Sequence, residues 1–378
     1  MIGFEQVFPA MTLVIAYAAP FLGVLILVVF AHECGHFIAG RLCGAGIETF
    51  SIGMGPELIG FSDRLGTRWR FSALPIGGYV RFASKPPQGG ANASAAVADP
   101  AGRSVALMDL PLGARAAIIA AGPAASVLAA IVIFSGLSYF VGETIVPSRV
   151  GAVSPDSAAE RAGFLKGDEI TGIDDRAIST FPEMSAYIGI RPGEAMTFQL
   201  VRDGRPMTII ATPTLAVISS PIGPQRVGKL GLVSADDVTT ARKTYPSPLG
   251  AVRMGLAQAW GTVSTTQAYL TRLVSGRATT DQLSGPVRIA QIANVASTVG
   301  AAAFLQLAGL LSLSLGLMNL LPVPMLDGGQ LLYCAIEAVL RRPISRRAQE
   351  YGLRFGAATM LGLTVFVTFN DLRRLFSL

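Results

Sequence analysis

"VVFAHECGHFIAGRL", residues 28–42, ends a long apolar run with two histidines, a glutamate and a cysteine. The run over about 11–40 exceeds the roughly 20 residues that a helix needs to cross a bilayer. The stretch therefore reads as the end of a membrane helix. Ionisable groups are costly in lipid and mark function there by default. His32 and His36 are the two histidines of the chain. At i and i+4 they lie one turn apart on one helix face, so both imidazoles can reach one metal ion. Glu33, beside the first of them, is placed to act as general base on a water that the metal activates. Cys34 points off the histidine face and reads as packing.

The rest of the composition agrees with a membrane chain. Of 378 residues, 51% are hydrophobic and 14% charged, and the mean hydropathy is +0.52. That is too apolar for an ordinary soluble domain. Four spans are expected, at about 11–40, 114–142, 297–321 and 353–370, which makes the fold class a polytopic α-helical membrane protein. The first span lacks the basic start of a signal peptide. The net charge of +6 reads as topology and not as nucleic-acid binding. Arg41, Arg64, Arg68, Arg70, Arg81, Lys85 and Arg103 fall between spans one and two, and Arg115 at the start of span two. Arg341, Arg342, Arg346 and Arg347 fall between spans three and four. The positive-inside rule makes both loops cytoplasmic and puts the 143–296 segment outside; Arg373 and Arg374 run against it. Cys34, Cys43 and Cys334 lie in or near spans, so no disulfide framework is expected.

Four domains follow: a membrane half over 1–143, a small domain over 144–214, a linker and helix over 215–296, and a second membrane half over 297–378. Within the first, residues 47–82 alternate β-branched and aromatic residues with turn signals, which predicts strands in a hairpin region associated with the membrane. Residues 84–102 read as a linker by composition. Residues 144–214 read as short strands around a short helix, an inserted α+β domain, with Asp203-Gly204 as a hairpin turn. Residues 215–247 read as a linker. Leu249, Val252, Leu256, Trp260, Val263, Leu270 and Val274 recur at helical spacing, which predicts a helix with one apolar face against the outer membrane surface or the spans.

Two histidines leave a metal short of a third ligand, which must then be Asp, Glu or Cys. The best candidate is Asp327, in "GLMNLLPVPMLDGGQLLYCAIEAVL". Pro322 and Pro324 break the helix before it, and two glycines after it permit close approach. Asp327 with Gln330 also reads as a capping box opening a helix over 330–340. The ligand reading is preferred because the two-histidine site lacks a partner, and the two roles are compatible.

With these residues in place, the sequence resembles the site-2 protease family of intramembrane zinc metalloproteases, closest to the regulator-of-sigma-E type. The resemblance is carried by "AHECGHFIAGRLCG", "FSIGMGP", "LPIGGYVRF", "AAIIAAGPAAS", "LSGPVRIA" and "GLMNLLPVPMLDGGQLL", in the family's order. It implies that His32, His36 and Asp327 bind Zn2+ and that Glu33 is the catalytic base. It implies that Asn319 helps hold substrate and that the 47–82 region presents an edge strand to it, with Gly77, Gly78 and Tyr79 as substrate-positioning residues. The 144–214 segment resembles a PDZ domain, which either takes up peptide termini or screens access by its bulk. The implied substrates are transmembrane proteins in the bilayer, such as a single-span anti-sigma factor or signal-peptide remnants. The implied location is the bacterial inner membrane, with the PDZ domain outside the cytoplasm. Three features depart from the pattern. One PDZ domain stands where close relatives have two. Ser126 stands where the family often has Asn and is given no site role. Gln330 stands where some relatives have His. Two other classes compete: a metal transporter, which would need several ligand sets along a path, and a non-catalytic PDZ receptor, which would not need Glu33.

Overall fold

In lipid every backbone polar group must find its partner within the protein, and a helix achieves this within one segment. The computed structural model describes residues 4–83, 105–220, 223–235, 243–276 and 285–375. Along the chain, α1 (Phe4–Leu42) leads into β1 (Ile47–Ser62) and β2 (Arg68–Phe82), and then α2 (Leu112–Phe140) follows. Next come β3 (Glu143–Thr144), β4 (Val150–Val153), α3 (Ala158–Ala162), β5 (Glu169–Ile173), β6 (Arg176–Ala177) and α4 (Phe181–Gly189). They are followed by β7 (Met196–Arg202), β8 (Arg205–Ala211), β9 (Thr214–Ser220), β10 (Gly223–Lys229), β11 (Leu232–Ser234) and β12 (Lys243–Thr244). The chain closes with α5 (Pro248–Val274), α6 (Pro286–Val299), α7 (Ala301–Asn319), α8 (Asp327–Leu340) and α9 (Arg346–Leu375).

Among the described residues, four segments are long and apolar enough to cross a membrane: Ala16–Leu42, Leu112–Phe140, Ala301–Asn319 and Arg347–Arg373. The expected third span at 297–321 is shorter than expected. Gly300, at φ 135°, separates α6 from α7, and the apolar helix begins at residue 301.

The chain divides into two units, one of Met1–Phe134 with Gly285–Asp371 and the other of Ser135–Ser284 with Leu372–Leu378. In the first unit, β1 and β2 are long and bent. Residues Thr49 to Ile52 of β1 pair with Arg81 to Gly78 and also with Arg68 to Phe71. Thr49–Ile52 therefore lies inside the sheet, and the Gly78–Phe82 stretch of β2 forms one of its margins. This sheet is anchored on α1 by aromatic contacts. Phe50, 1% exposed, meets Phe30 and Phe37 edge-on and stacks on Trp69.

The second unit holds the expected α+β domain around Phe198, Ile170, Ile173, Met184, Met196 and Leu200. Its main sheet runs β6-β5-β7-β8. The short helix α3 has Ser157 as N-cap, accepting from the Glu160 amide, and Gly163 in the left-handed region at its end, the usual start and stop signals. The expected boundary at 214 is corrected. Residues 214–220 and 223–229 form a hairpin, β11 pairs with β4, and Leu230 is part of the domain core. The Gly, Pro and Ser content that suggested a linker serves turns here. The other expected linker, 84–102, lies outside the described residues, as does 236–242. The 249–274 helix is present as α5, with Ala251 and Ala259 buried and Leu249, Val252, Leu256 and Trp260 exposed.

Candidate metal centre

Three helices of the first unit bring together residues far apart in sequence. His32 and His36 project from α1 one turn apart, and Asp327 stands at the first position of α8. Pro322 and Pro324 stop α7 from continuing, because proline has no N–H to donate. The chain turns over 320–326 and restarts as α8. The capping-box reading of Asp327 is corrected by this start. Leu326 is the N-cap residue, no side chain caps the helix, and α8 begins at residue 327, not 330. The Asp327 carboxylate instead turns toward the histidines.

The three donor atoms form a triangle. His32 Nε2 lies 3.2 Å from His36 Nε2 and 3.2 Å from Asp327 Oδ2, and His36 Nε2 lies 3.4 Å from Asp327 Oδ2. A tetrahedron with metal–ligand arms of about 2.0–2.1 Å has edges of about 3.3 Å, so the spacing suits zinc. The proton positions point the same way. His36 Nδ1 donates to the Ile118 carbonyl at 2.9 Å. A carbonyl only accepts, so in the neutral ring the proton sits on Nδ1, and Nε2 presents a lone pair to the triangle. Asp327 Oδ2 is buried and has no hydrogen-bond partner. The His36 lone pair and the Asp327 carboxylate thus face one another across 3.4 Å at a buried point, an arrangement that a cation between the three atoms would satisfy. The residues therefore fit a metal, and this group of three is the one found among the described residues. Cys34 stays out of it, as its place on the helix implies.

Helix α2 frames the histidines. Gly122 leaves room for the His36 ring, which a Cβ at that position would overlap. Pro123 lies inside α2 and takes one N–H out of the helix ladder beside this turn, loosening it next to the Ile118 carbonyl that His36 uses. The sequence reading missed Ser126. It is fully buried, its Oγ lies 3.1 Å from His32 Nδ1, and its carbonyl accepts from Ser312 Oγ of α7 at 2.9 Å. The available signal was its phase on the helix. Arg115, Ile118, Gly122 and Ser126 follow one another at three- and four-residue steps on one face of α2.

The margin of the sheet lies against Glu33. The Val80 amide faces its carboxylate. A Cβ on Gly78 would stand 2.8 Å from Val29 Cγ1 and 3.2 Å from Glu33 Cγ, so only glycine permits this approach. Of the other residues expected to position substrate, Gly77 has φ 76° on the same strand and Tyr79 lies under Arg70 and Arg81 at 5.1 and 5.6 Å. Asn319 is half-buried at the end of α7 and is not one of the three donors.

Comparison with known proteins gives a consistent picture. The model of Peptidase family M50 matches residues 20–363. A protein of Agrobacterium fabrum named "Putative zinc metalloprotease Atu1380" is 42% identical over 366 residues, covering 95% of this chain and 96% of its own. A similarly named protein of Rhizobium meliloti is 41% identical over 368 residues, covering 95% and 97%. Metalloprotease MmpA of Caulobacter vibrioides is 36% identical over 383 residues, covering 93% and 94%.

Proposed function

The chain belongs to peptidase family M50, and on that premise we propose that it is a zinc endopeptidase that cuts transmembrane segments of other membrane proteins within the bilayer. The observation that carries this reading is the convergence of His32, His36 and Asp327 beside Glu33, although 291 residues separate His36 from Asp327 (327 − 36). In the proposed roles, His32, His36 and Asp327 hold the metal. Bound zinc supplies Lewis acidity, polarising the scissile carbonyl and lowering the pKa of water to about 7. Glu33 takes the proton of the attacking water and delivers it to the leaving amine as the C–N bond breaks.

A helical peptide bond is shielded by its own hydrogen bonds, so a transmembrane substrate must unwind before it is cut. The sheet margin at Gly78–Phe82 is suited to hold it extended by strand addition, and its closeness to Glu33 supports that role for Gly77, Gly78 and Tyr79. Asn319 is proposed to steady the substrate from the end of α7. The α+β domain, read as a PDZ domain running to residue 234, would take up peptide termini or screen access. By the arginine distribution it stands outside the cytoplasm of a bacterial inner membrane. Anti-sigma factors and signal-peptide remnants are the proposed substrates.

The test is metal analysis together with cleavage of a tagged transmembrane peptide. Glu33→Gln should retain zinc and lose cleavage by a factor of about 10²–10⁴. Full activity in that variant would refute the mechanism.

A further inference from the structure

His32 and His36 are ligands of the same kind, yet their second nitrogens are held differently. His36 Nδ1 meets a backbone carbonyl, whereas His32 Nδ1 meets a side chain, the Oγ of Ser126 at 3.1 Å. A carbonyl fixes the proton on the ring without ambiguity, but a hydroxyl can donate or accept. Ser126 is buried at 0% exposure. We propose that Ser126 is a positioning residue of this peptidase: its hydroxyl oxygen accepts a hydrogen bond from the Nδ1–H of His32 and so presents the Nε2 lone pair to the metal. The proposal rests on the assignment of His32, His36 and Asp327 as metal ligands.

The surroundings favour this direction of the bond. Were the hydroxyl to donate to Nδ1, the His32 proton would sit on Nε2. It would then point into the triangle at 3.2 Å from both His36 Nε2 and Asp327 Oδ2, where a metal must go. With Ser126 accepting, both rings carry their proton outward and all three donors are free. The backbone at Ser126 is fixed separately, because Ser312 Oγ donates to its carbonyl at 2.9 Å. That bond uses the backbone carbonyl alone and leaves the hydroxyl to the ring. Partners of this kind, bonded to the second nitrogen of a ligating histidine, commonly set metal affinity by 10–100-fold.

The experiment compares purified wild type, Ser126→Ala and Ser312→Ala. Ser126→Ala keeps the Cβ and the carbonyl that Ser312 uses, and deletes only the hydroxyl. Zinc affinity is measured by chelator competition, and the cobalt-loaded protein is examined for its visible absorption bands, which report ligand geometry. Thermal unfolding of the metal-free protein serves as the control for folding. The expected result is a loss of about 10–100-fold in zinc affinity for Ser126→Ala, with altered cobalt bands and unchanged unfolding without metal. Ser312→Ala should bind zinc as the wild type does. Wild-type affinity and cobalt bands in Ser126→Ala would overturn the proposal, as would an equal loss in Ser312→Ala, which would make the effect one of helix packing. Zinc loss in His32→Ala tests the underlying ligand assignment separately; if that variant keeps its zinc, the assignment fails and not only the role of Ser126.

Discussion

The buried ion pair between Arg115 and Glu337 joins α2, which frames the histidines, to α8, which carries Asp327. Arg115 Nη2 lies 2.6 Å from Glu337 Oε2, and the two side chains are 15% and 8% exposed. Glu337 Oε1 also accepts from the Ile344 amide at 3.4 Å, holding the turn beyond α8. Replacing Glu337 by leucine leaves a guanidinium buried with no anion. Breaking a buried pair from one side costs about 3–5 kcal/mol. Arg115 Nε already lacks a partner, so the pair compensates its desolvation incompletely, and the lower end, about 3 kcal/mol, is expected. That corresponds to roughly two decades in the ratio of folded to unfolded protein. Replacing both residues, as Arg115→Met with Glu337→Leu, removes the orphaned charge and should recover most of the loss or exceed the wild type. The assay is reversible unfolding in mixed micelles with rising SDS, followed in a Trp260→Phe background by the fluorescence of Trp69, which stacks on Phe50 in the same unit. Zinc retention should follow stability, since Glu337 lies on the helix that begins with Asp327. A single change costing less than about 1 kcal/mol, or a double variant no better than the single one, would refute the reasoning.

Asp327→Ala should release zinc into a chelator that the wild type resists, while the metal-free protein loses little stability, because no cap bond depends on this carboxylate; metal content after dialysis decides it. In the α+β domain, burial pushes the Asp168 carboxyl up. The Arg202 guanidinium, at 2.7 and 2.8 Å, and the Leu165 amide outweigh burial and hold it below the usual carboxylate range. Its contribution to stability is therefore complete above about pH 4 and is lost as pH falls through the lowered value. Asp168→Asn should destabilise the protein at neutral pH and flatten this acid limb, as read by denaturant unfolding between pH 2 and 7. An unchanged limb would count against the pair.

The membrane architecture was legible because lipid allows so few solutions. Long apolar segments must be helices, and α1, α2 and α9 fall where hydropathy puts them. Gly300 escaped notice, since a glycine in a membrane helix is common and only its φ of 135° shows that it divides two helices. The reach of the α+β domain was misjudged for a different reason. Composition at 215–234 signals turns, and turns between strands look the same as turns in a linker. What assigns the segment to the domain is the pairing of Leu232 with Val153 and the burial of Leu230, both contacts across long stretches of chain. Asp327 stands beside the histidines, where the chemistry missing from their pattern pointed. Its start-of-helix position was misread by three residues, since a carboxylate before Gly-Gly-Gln signals a cap equally well.

Helix α2 shows where sequence reasoning stops for a site of this kind. Its residues near the ligands are small or apolar, and the site draws on them through a carbonyl, a missing side chain and one hydroxyl. None of these has a chemical signature in the sequence. A carbonyl belongs to every residue, and Gly122 and Ser126 read as packing residues that let helices approach. Both readings hold at once. Close approach brings the Ile118 carbonyl and the Ser126 hydroxyl within reach of the rings, so packing and ligand orientation are one structural demand. An ionisable cluster in lipid thus needs a companion helix poor in bulk as much as it needs its own polar residues. The same phase that aligns Gly122 and Ser126 carries Arg115 to Glu337 on the helix of Asp327. One face of α2 therefore touches both histidines and the helix that bears Asp327, and displacing that face should disturb all three donor groups together.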